Sequence, residues 1–333
     1  MRLTVAEARD LLHRTMTALG HDAAEAAVIA DHLLDCELRG LGYGGLARAV
    51  SIAERMAAGG RREPIRVLRE TPLSAVIDGG DNLGYLVARQ ATELAIAKAE
   101  AQGLAMIAGN RTWYTGMLSY YAEMLTGRDL VGMLASNATA WVAPHGANEG
   151  RFGTNPVCFG FPTGAQPIIW DIGTSAIMHA EVVLHRRLGT ALPEGVAFAP
   201  DGRPTRDPAA ALAGAFAAWG GHRGSGLGLV VQMLGMLAGS PAMPAGLADF
   251  GFVILALRPD LFVDTQQFKR EIAAYAETVR AARPVAGGEP VRMPFDRSAA
   301  ARRRRLAEDA IEVPDLVHER LTRIATRNAS VPP

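Results

Sequence analysis

The stretch G-G-H-R-G-S-G-L-G-L-V-V-Q-M-L-G-M-L-A-G, residues 220–239, joins a glycine-rich start to a long uncharged apolar run. Its first half predicts a loop in which another group approaches the backbone closely, because glycine leaves that space open. Its second half predicts a helix that is buried on most sides. A glycine loop at a helix N-terminus can bind an anion, and Arg223 would add a cation for a phosphate. The alternative is a tight turn before a core helix, with glycines present only for packing.

This stretch differs from the dinucleotide-binding fingerprint of the Rossmann fold. No clear strand runs directly into it, and no acidic residue follows at the distance that the fingerprint requires.

Composition narrows the possible functions. A chain of 333 residues is long enough for one large domain or two moderate ones. Its formal net charge of zero argues against nucleic acid or an anionic membrane as a partner. Cys36 and Cys158 form no C-x-x-C pair, which favours a reducing compartment. Without a signal-peptide pattern or an apolar run long enough to span a bilayer, the sequence predicts a cytoplasmic protein.

The first sixty residues predict a small helical module. Thr4 and Glu7 have the spacing of a capping box, so a helix should begin at about Val5. Further helices are predicted at 23–38 and 46–56, each ended by glycines. No strand is predicted before residue 74.

Beyond residue 74 the pattern changes to alternating strands and helices, which predicts an α/β or α+β domain. Residues 79–82 predict a turn. Helices are predicted in this region at residues 86–102 and 118–125. Strands are predicted at 74–78, 104–108, 130–135, 157–161, 168–170 and 252–257. From about residue 290 the chain is basic and helical again, and the arginines at 302–305 indicate a solvated helix face.

Motifs for metal or serine-hydrolase chemistry are not indicated. His179 and His185 are six residues apart and would not share a helix face, and there is no H-E-x-x-H pattern, so no metal site is predicted. No G-x-S-x-G elbow is present. Asp171 and Thr174 follow an apolar strand, where ligands of α/β sheets often bind, although the same residues could cap a helix.

Taken in order, several short motifs do match one family. The chain resembles the type 2 malate/L-lactate dehydrogenases, which are NAD(P)H-dependent and not Rossmann-like. The matching segments are E-L-R-G at 37–40 with Arg48, G-T-N-P at 153–156, D-I-G-T-S at 171–175, L-P-E-G at 192–195, D-G-R-P-T at 201–205, D-P at 207–208 and G-H-R-G at 221–224. The segment T-S-A-I-M-H-A-E, residues 174–181, is most similar to the branch that reduces Δ1-piperideine-2-carboxylate and Δ1-pyrroline-2-carboxylate.

The resemblance implies a fold and an assembly. It implies a mixed-sheet, non-Rossmann α/β fold with a helical module formed by both chain termini, residues 1–70 with 290–333. Residues 71–289 would then form the domain that binds NADPH or NADH and the substrate. The usual assembly implied is a homodimer, and the implied ligand is a small-molecule carboxylate.

The resemblance also implies roles for individual residues. Arg48 would bind the substrate carboxylate, a task that suits a planar guanidinium, and Thr154 would hydrogen-bond the substrate. The implied cofactor-binding residues are Asp171, Ile172, Gly173, Thr174, His222, Arg223, Gly224, Phe295, Asp296 and Arg297.

The catalytic positions depart from the family pattern. The family's S-H-G, which holds its proton-donor histidine, is Y-G-G at 43–45, so the histidine is replaced by Gly44. A second family histidine is replaced by Tyr114, whereas Glu181 keeps the acidic relay position. The candidates for proton supply are therefore Tyr43, Tyr114, Glu181 and water. Reduction of a ketone needs a proton at the forming alkoxide, but a protonated imine already carries one, so the change favours an imine or an otherwise activated substrate.

Three hypotheses follow. The first is an NAD(P)H-dependent reductase of a cyclic 2-imino acid or a 2-oxo acid. The second is an enzyme of the same fold with different chemistry. The third is a non-catalytic family member that binds a ligand or a partner.

Overall fold

The computed structural model describes residues 1–59 and 62–327. Its helices are α1 (Val5–Ala18), α2 (Ala23–Leu38), α3 (Leu46–Ala57), α4 (Gly84–Gln102), α5 (Leu118–Thr126), α6 (His179–Leu188), α7 (Pro208–Ala213), α8 (His222–Leu237), α9 (Thr265–Arg280), α10 (Asp296–Glu308) and α11 (Asp315–Arg327). Its strands are β1 (Arg2–Leu3), β2 (Arg66–Glu70), β3 (Ser74–Leu83), β4 (Leu104–Trp113), β5 (Val131–Ser136), β6 (Val157–Phe161), β7 (Ile168–Ile172), β8 (Ala197–Phe198), β9 (Ala215–Phe216), β10 (Phe250–Leu257) and β11 (Ile311–Glu312).

The described residues contain a seven-stranded mixed sheet of order β2-β3-β4-β10-β5-β6-β7. Strands β3 and β4 run parallel, whereas the other neighbouring strands of this sheet are antiparallel. Helices α4 and α5 pack on one face of the sheet, and α8 packs against β5 and β10. The predicted mixed α/β fold class is confirmed.

Both ends of the chain share one apolar cluster. Leu11 of α1, Leu33 of α2 and Ile52 of α3 pack in the same buried cluster as Val317 and Leu321 of α11. Strands β1 and β11 also pair antiparallel, which holds the two ends of the chain together. A helical module formed by both termini is therefore present in the described residues.

The division into 1–70 with 290–333 and 71–289 stays a prediction. Strand β2 lies within the first segment, yet it pairs with β3 at the edge of the large sheet. Residues 60, 61 and 328–333 of the first segment lie outside the described residues.

The capping box at the first helix is confirmed. The Thr4 hydroxyl accepts a hydrogen bond from the Glu7 amide at 3.1 Å, and a Glu7 carboxylate oxygen accepts one from the Thr4 amide at 2.7 Å. Two backbone N–H groups at the helix N-terminus, those of Thr4 and Glu7, thereby gain a hydrogen-bond partner. This is why a four-residue pattern predicted where α1 begins.

Two expectations about strands were wrong. Strands β1 and β2 precede residue 74; β1 has two residues, and β2 is exposed on both faces, so neither carries an alternating apolar pattern. The predicted turn at 79–82 lies inside β3, whose register with β4 shifts between Asp78 and Asn82. Gly80 and Asp81 have positive φ angles of 58° and 57°. These residues therefore form a local irregularity within the strand, and the chain does not reverse its direction there.

The stretch 220–239 also differs from its prediction. Helix α8 begins at His222, so the glycines after it are helical rather than part of a loop. A Cβ on Gly224 would lie 1.6 Å from the Trp219 carbonyl oxygen, and one on Gly228 would lie 2.5 Å from the Phe152 ring. At Gly224 and Gly228 the approaching groups are therefore the protein's own, which agrees with the packing alternative, whereas a Cβ on Gly226 would have no atom within 4 Å.

Helix α8 is not buried on most sides. Its inner residues pack under β5 and β10, but its outer face exposes large apolar side chains to solvent. These are Leu229, Val230, Met233, Met236 and Leu237, of which Leu237 is 69% exposed.

Candidate active site

A cavity of about 390 Å³ opens where β7, the starts of α3 and α6, and the segment after β4 meet. Nine of the residues predicted to take part in catalysis or binding line it. They are Tyr43, Arg48, Tyr114, Thr154, Asp171, Ile172, Gly173, Glu181 and Arg297. The fold therefore brings together residues from five separate segments of the chain.

Arg48 enters the cavity from the first turn of α3. Its guanidinium carbon lies 4.0 Å from the centroid of the Tyr114 ring, a cation–π contact. Its Nη1 atom is buried and has no hydrogen-bond partner among the described residues. An unpaired buried cationic donor costs free energy, so this atom is set up to receive an anionic ligand.

The start of α3 is held by Glu37 of the E-L-R-G segment. Glu37 Oε1 accepts a hydrogen bond from the Leu46 amide at 2.8 Å, which caps a helix whose N-cap residue, Gly45, has no side chain. Burial raises the pKa of Glu37 to about 7. This carboxyl therefore positions the helix that carries Arg48.

The position of the missing histidine lies on the cavity wall. Gly44 lines the cavity beside Cys36, and a Cβ there would meet the Cys36 sulfur and the Leu41 carbonyl oxygen at 3.4 Å. Tyr43 lies next to it, and burial, with the Glu181 carboxylate as the next cause, raises its pKa above the ordinary value for a phenol. The Tyr43 phenol is therefore a weak acid that stays protonated.

Tyr114 lies under the Arg48 guanidinium and has a left-handed backbone, with φ of 55°. It is 8% exposed, and Thr115, Gly116 and Met117 after it also line the cavity. His32 supports this segment from below, because its Nε2 accepts a hydrogen bond from the Met117 amide at 2.9 Å.

Asp171 of β7 faces α5. Its Oδ2 accepts a hydrogen bond from the Ser119 amide at 2.7 Å, so the carboxylate caps the N-terminus of α5 across the site. Burial raises the pKa of Asp171. Asp171 therefore caps α5, whereas the helix that follows it in sequence, α6, has no side-chain cap of the kind that Asp171 and Thr174 could have formed. The role of Asp171 in cofactor binding stays a prediction.

Thr154 and Thr174 are joined through the backbone. The Thr154 carbonyl oxygen accepts a hydrogen bond from the Thr174 amide at 2.9 Å. Thr154 lines the cavity, whereas Thr174 is fully buried and is absent from the lining. Thr174 thus fixes the strand ends that carry the lining residues Ile172 and Gly173.

Three predicted cofactor residues lie at the N-terminus of α8, outside the cavity lining. His222 and Arg223 are exposed, and Gly224 is buried against Trp219, which does line the cavity. Their role in phosphate binding stays a prediction.

The C-terminal segment 295–297 meets the site at its mouth. Phe295 lies against the Arg39 guanidinium at 4.6 Å, and Asp296 pairs with Arg280 at 2.8 Å. Arg297 is exposed and lines the cavity. Of these three predicted residues, Arg297 is the one that borders the cavity.

Sequence analysis missed the Trp141–His179 pair on the cavity wall. The indole and imidazole rings stack at 3.8 Å with an interplanar angle of 13°. Burial, and next the charge of Arg48, lower the pKa of His179 to about 3, so its ring is neutral. His179 lies in the quoted segment 174–181, next but one to Glu181, whereas nothing in the sequence singled out Trp141.

The family of this chain follows from comparison with known proteins. The family model described as malate/L-lactate dehydrogenase matches residues 3–322. The chain belongs to this oxidoreductase family.

Two curated relatives and one solved structure cover nearly the whole chain. A Δ1-pyrroline-2-carboxylate/Δ1-piperideine-2-carboxylate reductase of Pseudomonas aeruginosa is 30% identical, over 96% of this chain and 98% of its own. A (2R)-3-sulfolactate dehydrogenase (NADP(+)) of Chromohalobacter salexigens is 31% identical, over 96% of each chain. The crystal structure of a dehydrogenase from Sinorhizobium meliloti superposes with a TM-score of 0.90 at 32% identity, over 98% of each chain.

No helix among the described residues is both long and apolar enough to cross a membrane.

Proposed function

We propose that this protein is an NAD(P)H-dependent reductase of a small 2-imino acid, of the cyclic ketimine type, or of a 2-oxo acid. The observation that carries the proposal is the buried Arg48 Nη1, which has no partner among the described residues and lies in a cavity that Glu181 and Tyr43 also line. A carboxylate next to the reducible bond would satisfy this donor and fix the substrate.

The residues present fit a nicotinamide cofactor, NADPH or NADH. The lining of the cavity is more apolar than polar and includes the aromatic rings of Tyr85, Tyr114, Trp141 and Trp219, as is common in sites that bind a flat ring. When bound, the cofactor supplies a hydride. Ile172 and Gly173 at the end of β7 would lie against its nicotinamide, and Arg297 would lie at the mouth of the cavity.

The proton supply favours an imine over a ketone. Position 44 offers no side chain, and the pKa of Tyr43 is raised by burial and by Glu181. A group with such a pKa donates a proton poorly near neutral pH. A protonated imine needs no donor, and the Glu181 carboxylate on the same wall would stabilise its positive charge.

Membership of the family and the identity to an imine reductase support this proposal. The identity to a sulfolactate dehydrogenase supports the 2-oxo acid alternative. The second hypothesis, different chemistry on the same fold, is favoured by the loss of the histidine at position 44.

A panel of substrates tests the proposal. Δ1-Piperideine-2-carboxylate, Δ1-pyrroline-2-carboxylate and pyruvate are offered with NADPH and with NADH, and turnover is followed by the nicotinamide absorbance. We expect turnover of a cyclic imine and little turnover of pyruvate. If calorimetry shows that the protein binds neither NADPH nor NADH, the non-catalytic hypothesis is favoured. If the protein binds a nucleotide but turns over none of these substrates, the hypothesis of different chemistry on the same fold is favoured.

Tyrosine variants separate the proton sources. If the substrate brings its own proton, Tyr43→Phe and Tyr114→Phe should each lose far less than the roughly 10²–10⁴-fold that a positioned acid contributes. A variant that binds cofactor and substrate but is nearly inactive would identify its tyrosine as the proton donor.

We also propose that the chain forms a homodimer and that the outer face of α8 contributes to it. Five large apolar side chains are exposed there on consecutive turns, and patches of this kind on a folded protein mark interaction sites. Met233→Glu should shift the mass measured by light scattering towards the monomer. Phe262→Glu, at a residue 84% exposed outside α8, is the matched control and should leave the mass unchanged.

A cytoplasmic location is the last part of the proposal. Cys36 and Cys158 are both free thiols, as expected in a reducing compartment.

A further inference from the structure

Two buried nitrogen atoms in the cavity have no hydrogen-bond partner among the described residues. One is Nη1 of Arg48, and the other is Nδ1 of His179. Both side chains line the same cavity. Buried polar atoms are normally paired, so two unpaired nitrogens in one cavity, close enough that the charge of Arg48 acts on His179, indicate a ligand that pairs with them.

An aromatic ring lies against each of the two groups. Tyr114 lies against Arg48 at 4.0 Å, and Trp141 stacks on His179 at 3.8 Å. Stacked rings limit the rotation of each side chain, so both nitrogens are fixed before a ligand arrives. Phe216, at 6.4 Å from the imidazole, further encloses the ring.

The charges around His179 are positive. Arg48 of α3 and the neighbours Arg186 and Arg187 of its own helix all act on the imidazole in the direction that keeps it uncharged. A neutral imidazole carries one N–H donor. An imidazole N–H surrounded by positive charges is suited to donate a hydrogen bond to an anion, such as a carboxylate whose other oxygen is bound by Arg48.

We propose that His179 is a substrate-binding residue that donates a hydrogen bond to the carboxylate held by Arg48. The guanidinium would bind one side of the carboxylate, and the imidazole N–H would bind the remaining oxygen. This inference rests on the proposed function, since it assigns a second donor to the same substrate group. It applies equally to an imino acid and to a 2-oxo acid, because both carry that carboxylate.

Sequence position alone gives no reason to expect this role. His179 opens α6, two residues before Glu181, and the first turn of the helix brings both side chains to the cavity. The N-terminus of α6 thus supplies both His179, as a hydrogen-bond donor to the substrate carboxylate, and Glu181, as an acidic group near the reducible bond of the substrate.

Paired variants and paired ligands test the assignment. His179→Phe keeps a flat ring against Trp141 but removes both nitrogens, whereas His179→Asn keeps a hydrogen-bonding atom near the position of Nδ1. His185→Phe, a histidine of the same helix outside the cavity lining, is the control. The ligands are pyrrole-2-carboxylate and its uncharged counterpart pyrrole-2-carboxamide, with affinities measured by calorimetry in the presence of nucleotide.

Loss of a hydrogen bond to a charged group weakens binding by about tenfold to a hundredfold. His179→Phe should therefore weaken pyrrole-2-carboxylate binding by at least about tenfold and leave the binding of pyrrole-2-carboxamide and of nucleotide unchanged. His179→Asn should recover part of the loss, and His185→Phe should match the wild type.

Two results would overturn the assignment while leaving the proposed function intact. One is unchanged carboxylate affinity in His179→Phe. The other is an equal loss for carboxylate and carboxamide, which would mean that the ring only shapes the cavity. If the wild type and Arg48→Lys bind the carboxylate equally weakly, the carboxylate anchor itself is wrong, and the proposed function fails together with this inference.

Discussion

Restoring a histidine at position 44 tests directly why this site differs from the family pattern. Gly44 is not among the glycines with positive φ, so a side chain does not strain the backbone. A Cβ there would touch Cys36 and the Leu41 carbonyl oxygen at 3.4 Å, which is ordinary contact. We therefore expect Gly44→His to fold, with a free energy of unfolding within about 1 kcal/mol of the wild type.

The adjacent glycine gives a matched contrast. A Cβ on Gly45 would lie 2.3 Å from Glu37 Cγ and 2.4 Å from Oε1, the atom that caps α3. Displacing this carboxyl would leave the Leu46 amide unpaired, so Gly45→Ala should lose about 1–3 kcal/mol. Thermal unfolding of the two variants measures this difference.

The activity of Gly44→His is the decisive part. An imidazole on the cavity wall could protonate the alkoxide that forms from a 2-oxo acid, and such a donor contributes about 10²–10⁴-fold. We expect pyruvate reduction to rise by a factor in this range, while reduction of a cyclic imine changes little. If the folded variant binds nucleotide but gains no ketone activity, the loss of the histidine does not explain the substrate preference.

Three further predictions follow from the site. Arg48→Lys keeps the charge but loses the forked guanidinium, so kcat/KM for a carboxylate substrate should fall strongly while nucleotide affinity by calorimetry stays the same; unaltered turnover would contradict the anchor. Arg223→Ala should weaken cofactor binding at least about tenfold if this residue contacts a phosphate, and equal affinity would remove it from the site. Glu37 has a pKa of about 7 in the folded protein against an ordinary 4.5, so its stabilising contribution is complete below pH 4.5 and is lost as the pH rises through 7. Relative to Glu37→Gln, the wild type should therefore lose up to about 3 kcal/mol of stability over that range in denaturant titrations, and parallel pH profiles would contradict the raised pKa.

Local signals predicted α1, α2 and α3, but not α6, α7 or α9. The start of α1 was predicted from the capping side chain of Thr4, because a cap is decided by residues a few positions apart. Asp22 caps α2 in the same way, but it was not identified from the sequence. Strand β2 could not be predicted in this way. All its side chains are exposed, so its pairing with β3 depends on the backbone and on the rest of the sheet.

The glycines of 220–239 show how a local pattern can have another cause. They suggested a ligand loop, but Gly224 and Gly228 allow close approach of Trp219 and Phe152 of the same chain. Which atoms approach a glycine is set by tertiary packing and cannot be deduced from neighbours in sequence.

The cavity itself was predicted only through the resemblance. Motifs far apart in the chain placed Arg48, Thr154 and Glu181 in one site, and the structure brings them to one cavity. Trp141 and His179, which stack in the structure, are 38 positions apart in sequence. Neither periodicity nor a motif predicts this contact.

Transfer of deuterium from the cofactor to the substrate is a direct test of the proposed hydride transfer. The protein is incubated with Δ1-piperideine-2-carboxylate and NADPH or NADH deuterated at the transferable position of the nicotinamide, and the product is analysed by mass spectrometry and NMR. We expect the wild type to form a saturated cyclic amino acid with one deuterium at C2, and Arg48→Lys to form much less of it. Absence of labelled product from imines and 2-oxo acids alike, by a protein that binds the nucleotide, would contradict the proposed hydride transfer.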